Sequence, residues 1–178
     1  LIVDVVPAFG GRALRIIDRA TGECVTAWNR TKNLYFPFAG GEGTRLGTAF
    51  RTPANSLANY QVVDRTPTSV TMEDRALGLG VRRTLRLVEG EPRMIAETDV
   101  TNIQDKPMMV ITRGHLELDL GALMHTEVAF TSRGGDSVHR TMTPIVEGLR
   151  EGEHYLDANT PNGSWTFAGR KGLSVTQT

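Results

Sequence analysis

Val81-Arg82-Arg83-Thr84-Leu85-Arg86-Leu87-Val88, then Glu89-Gly90-Glu91-Pro92, then Arg93-Met94-Ile95-Ala96-Glu97-Thr98-Asp99-Val100-Thr101 is the stretch that decides the fold. Side chains leave a strand alternately to its two faces. Val81, Arg83, Leu85 and Leu87 therefore share one face, and Arg82, Thr84, Arg86 and Val88 the other. The second face is rich in arginine and reads as wet; Arg83 interrupts the apolar one. The returning run sets Met94, Ala96, Thr98 and Val100 against Ile95, Glu97 and Asp99. Between the two runs, the Glu89–Pro92 segment has the composition of a hairpin turn.

Working outward, the same period recurs. Ala13–Asp18, the turn Ala20-Thr21-Gly22-Glu23 and the run Cys24–Trp28 read as strand, turn and returning strand, with Gly22 free to take positive φ. Gln61–Asp64 and Ser69–Arg75 precede the central pair. After it come a polar turn over Asn102–Lys106 closed by Pro107, a strand starting over Met108–Thr112, and another over Thr126–Ser132. Thr143–Leu149, Ser164–Ala168 and Leu173–Thr176 complete the set. Gly40-Gly41-Glu42-Gly43 and Gly134-Gly135-Asp136 read as loops. The nearest approach to a helical period, Val146–Leu156, is weakened by Gly148 and Gly152. Many short strands separated by glycine and proline turns predict an all-β fold, an antiparallel β-sandwich or barrel. A chain of 178 residues is long enough for one sizeable core, so residues 1–178 are read as a single domain.

Composition narrows the function classes. Lys plus Arg and Asp plus Glu balance at 20 each, which leaves no long-range pull on nucleic acid or anionic lipid. No basic run is interleaved with aromatics, so a nucleic-acid partner is not expected. No apolar run approaches the roughly 20 residues that cross a bilayer, so no membrane span is expected. Cys24 is the only cysteine, which removes an intrachain disulfide and a cysteine-based zinc site; it reads as a structural thiol. The chain opens at Leu1 without an initiator methionine, basic n-region or cleavage site, and so reads as a mature or excised piece. Its compartment (periplasmic, secreted or cytoplasmic) stays open.

Several stretches in order resemble the galactose-mutarotase-like superfamily. Val6-Pro7-Ala8-Phe9-Gly10-Gly11-Arg12, then Ile16-Ile17-Asp18 and Thr21-Gly22-Glu23, look like its first hairpin. Arg83–Leu87 leading to Ile95–Asn102, with Lys106-Pro107 following, is similar to its paired central strands. Val110-Ile111-Thr112-Arg113-Gly114-His115 then puts His115 where the mutarotases carry the histidine that protonates the sugar ring oxygen. The resemblance spans roughly residues 5–121 in order. It implies a mutarotase-type sandwich and a sugar or glycan ligand. The chain departs from the family after the histidine: Leu116-Glu117-Leu118-Asp119-Leu120-Gly121 carries no aromatic, and no glutamate beyond it matches the family's general base. The resemblance thus implies first a sugar-binding or structural domain of a larger carbohydrate-active protein. Its alternatives are an aldose 1-epimerase-like enzyme and a non-catalytic interaction module.

Ring opening of an aldose needs a base at the anomeric hydroxyl and an acid at the ring oxygen, and histidine titrates near neutral pH. His115 is the candidate acid, with Glu117 assisting and Arg113 on the same strand parity; a histidine bound only to backbone remains the competing reading. Glu42 and Arg45, in the glycine-rich stretch, Arg113, and Tyr35, in the aromatic run Tyr35-Phe36-Pro37-Phe38, are candidate ligand contacts. Arginine and carboxylate suit sugar hydroxyls because both form paired hydrogen bonds. His115, Glu117, Asp119 and His125 also have metal-ligand chemistry, but alternating charges on a strand more often mark a solvated face, so neither metal nor cofactor is expected. The glycine-rich stretch lacks the lysine of a phosphate loop, and a Gly-x-Ser-x-Gly elbow is absent. Open sheet edges call for cover, so a homodimer or a neighbouring domain of the same protein is an expected partner.

Overall fold

The computed structural model describes residues 1–27, 40–47, 59–121, 127–132, 134–141, 161–169 and 174–177. The chain divides into two compact units, Leu1–Leu118 and Asp119–Thr178. Among the described residues the first unit holds β1 (Ile2–Val6), a 3-10 turn (Pro7–Phe9), β2 (Arg12–Ile17), β3 (Gly41–Gly47), β4 (Gln61–Arg65), β5 (Ser69–Ala76), β6 (Leu79–Leu87), β7 (Met94–Asn102) and β8 (Ile111–Glu117). The second holds β9 (Glu127–Ser132), β10 (Ser137–Thr141), β11 (Pro161–Ala168) and β12 (Ser174–Gln177). They form three sheets, ordered β1-β2-β3-β8, β4-β5-β6-β7 and β10-β9-β11-β12. Every named pairing is antiparallel. The protein is all-β, as its period-two runs predict.

The β4–β7 sheet is a meander built by its turns. Leu77 and Gly78 join β5 to β6 with φ of 53° and 77°, and Gly90 turns β6 into β7 at 74°. Two successive positive φ values match the right-handed twist of the strands they join, although a leucine seldom adopts one. The alternation along β6 sends Leu79, Val81 and Leu85 into the core and leaves Arg82 and Arg86 exposed. Arg83, the interruption of the apolar face, is 0% exposed and lies in the core with them. Burying a charge is tolerable only with partners, and Thr98 of the same sheet, Thr44 and Glu42 of β3 and the Gly11 carbonyl supply them. Nε donates to the Gly11 carbonyl at 3.0 Å and Nη1 to the Thr98 hydroxyl at 2.9 Å. Nη1 also bonds the Thr44 hydroxyl, and Nη2 pairs with the Glu42 carboxylate. Arg83 of β6 thereby ties the two sheets of the first unit together, with buried Met72 its register partner on β5.

The β1-β2-β3-β8 sheet differs most from the sequence reading. Gly41–Gly47 is a strand, whereas its glycines suggest a loop. The glycine at 41 serves close approach: a Cβ there would stand 2.4 Å from the Ala13 carbonyl oxygen, and its φ is 73°. A glycine inside a strand marks such a contact as readily as a turn marks a loop. The strand after Pro107 starts at Ile111 and runs to Glu117, so His115 lies within it and not at its end. β1 and β10, unassigned in the sequence, are added. The Cys24–Trp28 run contributes only single bridges, Ile17 to Cys24 and Thr26 to Leu118. The Thr143–Leu149 run lies outside the described residues.

In the second unit, Val128, Phe130 and Ser132 of β9 are buried together with Leu120. The expected Gly134-Gly135-Asp136 turn is present. The Ser132 hydroxyl accepts the Asp136 N–H at 3.1 Å, and Gly135 has φ of 91°.

Candidate functional site

The polar site grows out of a break in one row of the first sheet. Between β2 and β8 that row is filled at one end by Cys24–Ala27: Val25 N–H donates to the Ile16 carbonyl at 2.8 Å and Ala27 N–H to the Glu117 carbonyl at 2.9 Å. At the other end it is filled by β3, whose Cα register pairs Gly41 with Glu117, Gly43 with His115 and Arg45 with Arg113. The two pieces meet at Gly40–Gly41, where Gly41 N–H donates to the Ala27 carbonyl at 3.1 Å. A break in a ladder leaves peptide groups without strand partners. Side chains supply them here. Arg12 Nη1 donates to the Gly40 carbonyl at 2.7 Å, and the Gly40 N–H donates to Glu117 Oε2 at 3.1 Å.

Arg12 extends over Gly43, where a Cβ would lie 3.1 Å from its Cγ. The residue is 3% exposed. Burial lowers the pKa of its guanidinium, the charges of Glu117 and Glu42 oppose that shift, and Arg83 adds to it. Arginine nonetheless keeps its charge at any physiological pH. Two arginines and two carboxylates therefore lie around β3, with Arg83 bound to Glu42 and Arg12 attracted to Glu117. Arg83 uses Nε, Nη1 and Nη2 in its bonds. Arg12, with five donors, makes one hydrogen bond among the described residues. Glu117 is half-buried beside it. This pairing of a fixed guanidinium with a carboxylate can donate to one hydroxyl oxygen and accept from a neighbouring one.

Of the residues singled out in the sequence, Glu117 is in this site and His115, Arg113 and Arg45 hold adjacent register positions along β3 and β8. The side chains of those three lie outside the described atoms. Glu42 is held by Arg83. Tyr35 lies outside the described residues, as do Trp28, Phe36, Phe38, Tyr155 and His125. Tyr60 is buried beside Gly11. Among the described residues no group of three or more His, Cys, Asp or Glu is arranged to hold a metal ion, and no helix is long and apolar enough to cross a membrane. Sequence reading passed over Arg12. Its signal was an arginine directly after a Gly-Gly pair and before an apolar strand.

Comparison with known proteins adds no relative: no family model, curated protein or solved structure matches the chain.

Proposed function

We propose that the chain is a sugar-binding β-sandwich domain of the galactose-mutarotase-like type, belonging to a larger carbohydrate-active protein. The observation that carries the reading is Arg12, a buried guanidinium with one hydrogen bond among the described residues, set beside Glu117 at the Gly40 break. A buried donor without an acceptor is unfavourable by about 1–3 kcal/mol. A polyhydroxylated ligand offers oxygens that accept from Arg12 and hydroxyls that donate to Glu117. The motif order from Val6 to His115 supplies the sugar class. Saturation-transfer NMR with D-galactose and D-glucose tests it: transfer to the sugar C–H protons is expected, and its absence for a broad glycan set favours an interaction module without a sugar ligand.

A second reading makes the same surface an aldose 1-epimerase-like site, with His115 as acid. It is favoured by the unbroken run of β8 through residue 115 toward Glu117. Polarimetry of freshly dissolved α-D-galactose decides it. Faster mutarotation that His115→Ala abolishes supports catalysis; a rate equal to buffer leaves only binding.

A further inference from the structure

Away from the Gly40 break, the first unit has a concavity lined by β1 and by the β4–β7 sheet. Val3 and Val5 of β1, Val62 of β4, buried Leu85 and Met94 line this half-open depression of about 330 Å³. Ligand pockets begin at about 300 Å³. At roughly 30 Å³ per water-sized group, this one accommodates about eleven non-hydrogen atoms. The Thr66–Ser69 turn and Arg65 also line it. The turn is internally tied: the Thr66 and Ser69 hydroxyls are 2.7 Å apart, and Leu87 N–H donates to the Thr68 carbonyl at 2.8 Å.

Charge identifies the occupant. The lining holds two arginines and no aspartate or glutamate. The Arg86 side chain leaves β6 on the face opposite Leu85 and pairs with Glu97 at 3.8 Å, so the cation facing the trough is Arg65. The Arg65 guanidinium has no hydrogen-bond or ion-pair partner among the described residues, only its backbone N–H being engaged, by Asp64. An apolar trough with one guanidinium beside it, that of Arg65, is complementary to an anionic head on a short apolar tail, and a carboxylate fits a guanidinium with two parallel hydrogen bonds. We propose that this seam binds a medium-chain carboxylate, the tail lying between β1 and β4 and the head on Arg65. The site is independent of the sugar reading.

Octanoate, with ten non-hydrogen atoms, is the probe, and 1-octanol is its uncharged control. Titration of the 178-residue chain, followed by methyl NMR, is expected to give saturable shifts at Val3, Val5, Val62 and Leu87. Arg65→Gln, an exposed position, should weaken octanoate about tenfold without changing the unfolding midpoint, and octanol should bind about tenfold more weakly than octanoate. Val62→Trp, at the half-exposed mouth, should block both. Equal binding of octanol and octanoate, unchanged affinity in Arg65→Gln, or no saturable methyl shift would each overturn the proposal.

Discussion

Arg83 and Arg12 are both buried, and both lie against β3, yet their surroundings differ. Arg83 crosses between two sheets and meets Gly11, Thr44, Thr98 and Glu42. Arg12 reaches the Gly40 carbonyl and, among the described residues, makes no other hydrogen bond. The first guanidinium has its chemistry used up inside the protein, so its role is to fix how the sheets of the first unit meet. The second retains donors beside a half-buried carboxylate, an arrangement suited to a ligand. What separates the two guanidiniums is the balance of donors against acceptors, since burial is nearly the same for both.

Substitutions sharpen this contrast. Arg83→Ala should have the largest effect. Removing one member of a buried pair leaves Glu42 without its ion-pair partner, and chemical denaturation should show a loss of about 3–5 kcal/mol. The Arg83→Met, Glu42→Met double variant should recover much of it, because the remaining charge goes too. Gly41→Ala comes next. A Cβ would meet the Ala13 carbonyl oxygen at 2.4 Å with φ at 73°, and a loss of about 2–3 kcal/mol is expected from strain and overlap.

Arg12→Ala should destabilise less than Arg83→Ala, by about 2 kcal/mol, while abolishing sugar binding. If it unfolds the chain as severely as Arg83→Ala, the two arginines are equivalent and the contrast is broken. Thr98→Val removes one acceptor from Arg83 and leaves three, so about 1 kcal/mol should be lost with sugar binding intact.

The smallest effect concerns the first turn. Asp18 accepts the Ala20 N–H at 3.1 Å and the Thr21 hydroxyl at 2.9 Å, and these bonds hold its carboxyl below the ordinary carboxylate range. A depressed folded-state pKa adds stability above the unfolded value of about 3.9, and that contribution is lost as pH falls from there through the folded value. Asp18→Asn should flatten this acid-side slope in unfolding curves and leave the neutral-pH sugar affinity unchanged.

The hairpins were legible in the sequence because their information is local. Alternation from Val81 to Val100 with Gly90 between states both strand and turn, whereas Thr21-Gly22 states its turn and the run after it forms isolated bridges in place of the expected strand. Even the interruption at Arg83 was visible as a break in pattern, but its partners lie 15 to 72 residues away and no local spacing announces them. β3 was hidden because glycine has two uses: Gly41 and Gly43 admit a neighbouring carbonyl and the Arg12 stem, which a sequence cannot distinguish from a loop. The candidate site was half legible. Glu117 stood out as a carboxylate two residues after a histidine, whereas Arg12 joins it only because the chain leaves the sheet after β3 and returns as β8. Glu42 was read as a ligand contact, and the structure pairs it with Arg83.

The most direct measurement is an amide-shift titration with D-galactose, run in parallel on the unaltered chain and on Arg12→Lys, which keeps the charge and loses the planar fork. Saturable shifts centred on Gly40, Gly41, Gly43 and Glu117, present in the first and lost in the second while both remain folded, are the expected result. Shifts that persist unchanged in Arg12→Lys, or none at these amides in either protein, would contradict a sugar site at the Gly40 break.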